Sequence, residues 1–185
     1  CDQAIALQPY YAWAWACKVR PLRLLERYSE ALDCYDKALE FLPRYAWAWN
    51  GKGIILERIN RLEDALRCFE TATEINPEVV WYWYNRAGVL QNLGDYTQAI
   101  ELLERGLKLD SSHPNSWAKL GQNYRYLNNY EKAVHAYEQA VRLDPTYGWA
   151  HNGHGLALKA LGKTRDALLA FKRAARYQPD EVWPW

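Results

Sequence analysis

Residues 114–147 read PNSWAKLGQNYRYLNNYEKAVHAYEQAVRLDPTY. Ala133, Tyr137 and Ala140 stand at spacings of four and three, which puts a small, a large and a small side chain on one helical stripe. A second helix can then approach closely beside the ring. Upstream, Trp117, Gly121 and Tyr124 share a stripe of their own. A polar turn separates the two patterns, and Asp144-Pro145 stops the second. The stretch is therefore predicted to be a helical hairpin.

The same pattern recurs along the chain at a step of 34 residues without insertion or deletion. From Pro9 the step lands on Pro43, Pro77, Ser111, Pro145 and Pro179; from Trp13 it lands on Trp47, Trp81, Asn115, Trp149 and Trp183. The small–large–small stripe reappears as Ala31/Tyr35/Ala38, Ala65/Phe69/Ala72, Ala99/Leu103/Gly106 and Ala167/Phe171/Ala174. A fixed period of this size signals a stacked array whose units bury their apolar faces against neighbours. Five complete units are expected, at 12–45, 46–79, 80–113, 114–147 and 148–181. Residues 1–11 match the second helix of a preceding unit and 182–185 the start of a following one. With no methionine among its 185 residues, the sequence reads as a piece of a longer protein.

Counting from the first residue of each unit, the pattern is Trp at 4, Leu-Gly at 7 and 8, Tyr at 11, Ala at 20, Tyr or Phe at 24, Ala at 27 and Pro at 32. In residues 114–147 these are Trp117, Leu120, Gly121, Tyr124, Ala133, Tyr137, Ala140 and Pro145. This resembles the tetratricopeptide repeat over essentially the whole chain. The resemblance implies an all-α fold, a right-handed α-solenoid of antiparallel helix pairs. Pro21 departs from it, inside the first helix of unit 12–45, where a proline costs ~3 kcal/mol and is expected to kink or end the helix.

Composition narrows the partners. With 23 Lys plus Arg against 22 Asp plus Glu, the net charge of +1 offers no global attraction to phosphate backbones or acidic membranes. No apolar stretch reaches a membrane span, and the start of the chain lacks a signal-peptide pattern. Cys1, Cys17, Cys34 and Cys68 form no CxxC pair, and Cys34 and Cys68 occupy one repeat position. They read as small buried side chains of a reducing cytoplasm.

Positions 2 and 4 lie about 200° apart on a helix, so the two tryptophan columns face different ways. Position 4 shares the stripe of positions 8 and 11 and is predicted to be core. As the resemblance implies, the opposite side lines a concave groove that binds extended peptides, which makes Trp13, Trp47, Trp81, Trp149 and Trp183 an aromatic ladder. One turn on stand Cys17, Gly51, Asn85 and Gly153, whose small size is expected to leave a slot beside each indole. Asn115 and Lys119 interrupt the ladder. The other reading has each indole folded over the preceding turn, on Tyr11, Tyr45, Val79 or Tyr147. Around the ladder the predicted groove carries Arg20, Arg23, Asn50, Arg58, Tyr84, Asn92, Arg125, Tyr126, Asn152 and Lys159, with Glu57 as its acid. Rings grip apolar side chains, amides satisfy a ligand backbone and arginines take a carboxylate.

Several signals carry no chemistry. Position 5 reads Ala16, Asn50, Tyr84, Ala118 and Asn152, which lacks the lysine that opens the carboxylate clamp of chaperone-binding relatives. Position 6 offers only Asn85 toward an asparagine ladder. His151 and His154 have a metal-compatible spacing but no acidic or cysteine neighbour on that turn. Gly51-Lys52-Gly53 and Gly153-His154-Gly155 fall inside helices and read as close-packing glycines, not phosphate loops. No nucleophile, base and acid converge, so neither catalysis, cofactor nor metal is expected.

The function expected is a noncatalytic module that binds an extended segment of a partner protein in the Trp-rich groove. The alternative is a structural or sensing arm of a larger signalling protein, working through intramolecular contacts or end-to-end association of copies. A third reading, single-stranded RNA stacked on the ladder, is opposed by the neutral charge balance.

Overall fold

The computed structural model describes Trp15, Val19 and residues 22–179, and every regular element among them is a helix. The helices are α1 Tyr28–Phe41, α2 Ala46–Arg58, α3 Leu62–Ile75, α4 Val80–Asn92, α5 Tyr96–Leu109, α6 Pro114–Tyr126, α7 Tyr130–Leu143, α8 Gly148–Ala160 and α9 Thr164–Tyr177. Their starts and ends repeat at the 34-residue step of the sequence. Pro21, expected to break a helix, lies outside the described residues. None of these helices is long and apolar enough to cross a membrane.

The 13-residue helices α2, α6 and α8 end in one way. Residues Glu26, Asn60, Gly94, Asn128 and Gly162 share a register and have φ of 55°, 59°, 84°, 57° and 74°. That left-handed conformation suits Gly and Asn and is unusual for Glu. Asn60 N–H donates to Glu57 O at 3.0 Å and Arg61 N–H to Leu56 O at 2.8 Å, with equivalent bonds at Asn128/Asn129 and Gly162/Lys163. These paired bonds close the helix with a Schellman motif and reverse the chain within a short turn.

The chain divides into two compact units, Cys1–Leu93 and Gly94–Trp185. Within the first, α1 packs on α2, α2 on α3, α3 on α4, and α2 also touches α4; within the second, the series α5 to α9 packs in order and α6 touches α8. The predicted stripe is the core of both. Ala65, Phe69 and Ala72 have no exposed surface, and Ala133, Tyr137 and Ala140 at most 1%. Burying a ring of that size stabilises by about 1.5–3 kcal/mol.

The glycines show why the helices come so close. A Cβ on Gly53 would stand 2.8 Å from the Phe69 ring, and one on Gly155 2.5 Å from the Phe171 ring. Each glycine accepts the large residue of its own hairpin.

Candidate functional site

The two tryptophan columns differ as their helical angle requires. In the position 4 column the indoles are half-buried, and each donates a hydrogen bond to the backbone of the turn before it: Trp49 Nε1 to Pro43 O at 2.8 Å, Trp83 Nε1 to Pro77 O at 2.7 Å, Trp117 Nε1 to Ser111 O at 2.8 Å. His151, which replaces the Trp, keeps the bond with Nε2 to Pro145 O at 2.9 Å. Since a carbonyl only accepts, the proton sits on Nε2. The ring also stacks on Tyr177, with 5.7 Å between centroids. Position 4 is therefore a fastening between turn and helix as well as core.

In the position 2 column Trp47 and Trp81 remain 47% and 49% exposed. Trp47 stacks on Tyr45 of the preceding turn at 5.9 Å and 28°, and Trp149, half-buried, stacks on Tyr147 at 6.0 Å and 29°. Trp81 meets Tyr84 edge-on at 5.3 Å. Cover over the turn and about half exposure thus coexist in Trp47, whose ring also meets that of Tyr35 at 6.0 Å. The first and last members of the expected ladder, Trp13 and Trp183, and also Arg20, lie outside the described residues.

One expectation needs correction. The small residues after the indoles do not leave an open slot. A Cβ on Gly51 would stand 2.8 Å from Cε1 of Tyr35 and closer still to its hydroxyl, and one on Gly153 would stand 2.5 Å from Cε1 of Tyr137. The ring of the preceding second helix fills the space. Burial pushes the Tyr35 phenol up to about 12 and raises that of Tyr137, where Arg125, as donor to the phenol, acts in the opposite direction.

In the first unit two hydrogen-bonded polar pairs join α2 to α4. Asn85 Nδ2 donates to Asn50 Oδ1 at 2.8 Å, and Asn92 Nδ2 to Glu57 Oε1 at 3.1 Å. Tyr84 is half-buried beside Trp81, its phenol raised by burial and by Glu57. Arg58 is exposed near the end of α2, and Arg23 is exposed earlier in the chain. This unit therefore presents two indoles, one amide–amide pair, one amide–carboxylate pair and exposed arginines.

In the second unit the predicted residues are placed less openly. Asn152 is 8% exposed, Arg125 lies over the Tyr126 ring at 5.1 Å, and Tyr126 stacks on Tyr96 at 4.7 Å. Lys159 is exposed. The Tyr96–Tyr126 stack was missed by the sequence reading, which placed Tyr126 in the groove without a partner for its ring.

His154, considered as a metal ligand, faces Glu138 at 3.8 Å, and burial lowers its pKa more than the carboxylate raises it. Among the described residues no group of three or more His, Cys, Asp and Glu is placed to hold a metal ion. Cys34 and Cys68 are buried, and burial pushes the Cys68 thiol up to about 11.

No curated protein sequence matches the chain. Among solved structures, YrrB, a TPR protein with an unusual peptide-binding site, is 23% identical with a TM-score of 0.76, covering 97% of this chain and 93% of its own. MamA 41-end from Desulfovibrio magneticus RS-1 is 19% identical with a TM-score of 0.81 over 92% and 97%. TTC0263, a thermophilic TPR protein of Thermus thermophilus, is 18% identical with a TM-score of 0.72 over 92% and 93%. At these identities the likeness is one of fold. In sequence, tetratricopeptide-repeat family models match residues 46–79 and 78–146. Because the two matches adjoin and together run over more than half of the sequence, the chain belongs to the tetratricopeptide-repeat family.

Proposed function

We propose that this tetratricopeptide-repeat protein-interaction module holds an extended segment of a partner protein against the indoles of Trp47 and Trp81. One observation carries the reading: two large aromatic side chains in the same register of α2 and α4 stay about half exposed, although tryptophan is normally well buried. Helices that touch lie roughly 8–10 Å apart, which suits side chains projecting from one extended peptide. The Asn50–Asn85 pair, about one turn after the indoles on α2 and α4, offers amide groups to a ligand backbone. Arg58 and Arg23 suit an acidic residue or a terminal carboxylate. The predicted residues of the second unit, Trp149, Arg125, Tyr126, Asn152 and Lys159, extend the same proposal to that unit. YrrB, described with a peptide-binding site, supports a peptide ligand for this fold.

The test begins by selecting binding peptides from a displayed random library. The double variant Trp47→Ala/Trp81→Ala is then compared with the parent. Lost binding with an unchanged helical signal and melting curve supports the reading. Unchanged binding refutes it, and loss of folding assigns the rings to structure.

A second reading, self-association, is favoured by α9, where Leu168 and Leu169 are 54% and 56% exposed. Residues of the same register as Leu168 in α1, α3 and α7, namely Leu32, Leu66 and Val134, are packed. Light scattering that stays monomeric at every concentration would dismiss it.

A further inference from the structure

In both compact units, an acidic side chain on the second helix of one hairpin faces a basic side chain on the first helix of the next. Lys52 Nζ lies 2.5 Å from Asp36 Oδ1, Arg86 Nη2 lies 2.7 Å from Glu70 Oε1, and His154 Nε2 lies 3.8 Å from Glu138 Oε1. Each pair is separated by 16 residues, and the 34-residue step assigns Glu104 and Leu120 to the remaining member of the series. There the acid is kept and the cation is replaced by a buried leucine.

Glu104 instead accepts a hydrogen bond from the Tyr124 hydroxyl at 2.7 Å. A phenol satisfies one carboxylate oxygen without cancelling the charge. Burial and Glu104 both raise the Tyr124 pKa, which keeps the phenol neutral. Where the cation is missing, a cavity of about 630 Å³ opens between α5, α6 and α7, against about 430 Å³ in the Lys52 slot and 280 Å³ in the His154 slot. Leu107, Leu120 and Ala136 are buried beneath it, and the Trp117 ring stands beside them. Glu104, Lys108, Glu131, Lys132 and His135 form the exposed rim, with Lys132 Nζ 5.3 Å over the Tyr124 ring.

The Lys52 slot shows what fits such a place. Its ammonium sits on the Asp36 carboxylate and 5.7 Å from the Trp49 ring, and Trp117 and Glu104 stand in the same register as Trp49 and Asp36. We propose that the cavity between α5, α6 and α7 receives a lysine or arginine side chain from an apolar segment of a partner protein, its cation lodged between Glu104 and Trp117. The buried floor takes an apolar neighbour of that residue. Lys108 and Lys132 at the rim are balanced by Glu104 and Glu131, so a segment with a single positive charge fits better than a polybasic one. The site involves neither Trp47 nor Trp81 and stands apart from the function proposed above.

The test is a titration of the isotope-labelled chain, following the Trp117 indole N–H and the Leu120 and Ala136 amides by NMR. The probes are acetyl-Ala-Leu-Lys-Leu-Ala-amide and its counterpart with norleucine for lysine. The lysine peptide is expected to shift these signals saturably and to bind at least about tenfold more tightly than the norleucine peptide, as one charge-assisted contact allows. Glu104→Gln, at an exposed position, removes that difference. Leu120→Lys, which supplies the cation internally, abolishes the shifts, whereas Trp47→Ala leaves them intact. Equal binding of the two peptides, no shift with either, or an unaltered preference in Glu104→Gln would overturn the proposal. So would shifts given by n-hexylamine alone, which would make the cavity a small-amine site.

Discussion

The Trp49 indole N–H donates to the carbonyl of Pro43, six residues earlier and in the turn before its own helix. Trp83, Trp117 and His151 repeat the bond in the same register. Phenylalanine retains most of the ring and removes the donor. Trp83→Phe is therefore expected to cost about 1–3 kcal/mol, because the Pro77 carbonyl loses its partner. Urea unfolding reads the cost. An unchanged midpoint would show that water replaces the indole without penalty.

Tyr35 occupies the space beside Gly51, and the rest of the chain varies in step with that contact. Tyr137 pairs with Gly153, whereas Phe69 and Leu103, which lack a hydroxyl, precede the larger Asn85 and Lys119 in the corresponding register. Gly51→Asn is expected to destabilise by about 1–3 kcal/mol through overpacking. Adding Tyr35→Phe, which copies Phe69 and Asn85, should recover part of the loss. A double-mutant cycle gives the coupling, and strict additivity would mean that the two sites adapt independently.

For the proposed peptide site, each indole supplies a separable share of the contact. Trp47→Ala and Trp81→Ala are each expected to weaken a selected peptide by about tenfold to a hundredfold, within the range of interface aromatic anchors. Because both rings are about half exposed, stability should fall by less than when a core ring is removed. Calorimetric titration beside thermal melting separates the two effects.

Protonation of His113 provides a pH test. Its Nδ1 accepts the Ser116 N–H at 3.2 Å at the start of α6, and burial lowers its pKa from 6.5. The folded state therefore holds the neutral ring while the unfolded chain takes a proton more readily. Stability contributed by His113 is present above 6.5 and is lost as pH falls through that value toward the lowered folded one. His154, also lowered, acts with the same sign. His113→Asn keeps a capping acceptor that does not titrate, so the loss of stability on acidification should become shallower without vanishing. An identical pH profile would remove His113 from the account.

Much of the fold was legible because the contacts that define it are periodic. Ala133, Tyr137 and Ala140 declare a buried stripe, and their equivalents fill the core in the same register. Trp47 and Trp49 declare opposite faces by spacing alone. What was not legible depends on a partner distant in sequence. Nothing local to Gly51 says that Tyr35 fills the space above it, so smallness there suggested an open slot. The acids and cations separated by 16 residues are visible once the neighbouring helices are known to touch. The left-handed turn residue was open to a closer reading, since Asn60, Gly94, Asn128 and Gly162 are of the two types that favour it and Glu26 alone departs.

The Tyr35–Gly51 and Tyr137–Gly153 fits give the linear order of the chain a steric grammar. A 34-residue block is not an interchangeable bead, because the ring it offers downstream must agree with the residue that the following block presents. Transplanting 46–79 behind 114–147 would set Gly51 under Tyr137, an agreeable junction. Moving 80–113 behind 12–45 would thrust Asn85 into Tyr35. Chimaeras cut at the turns should therefore succeed or fail by junction, and a designer wishing to shuffle, duplicate or extend such blocks has two residues to match before any others.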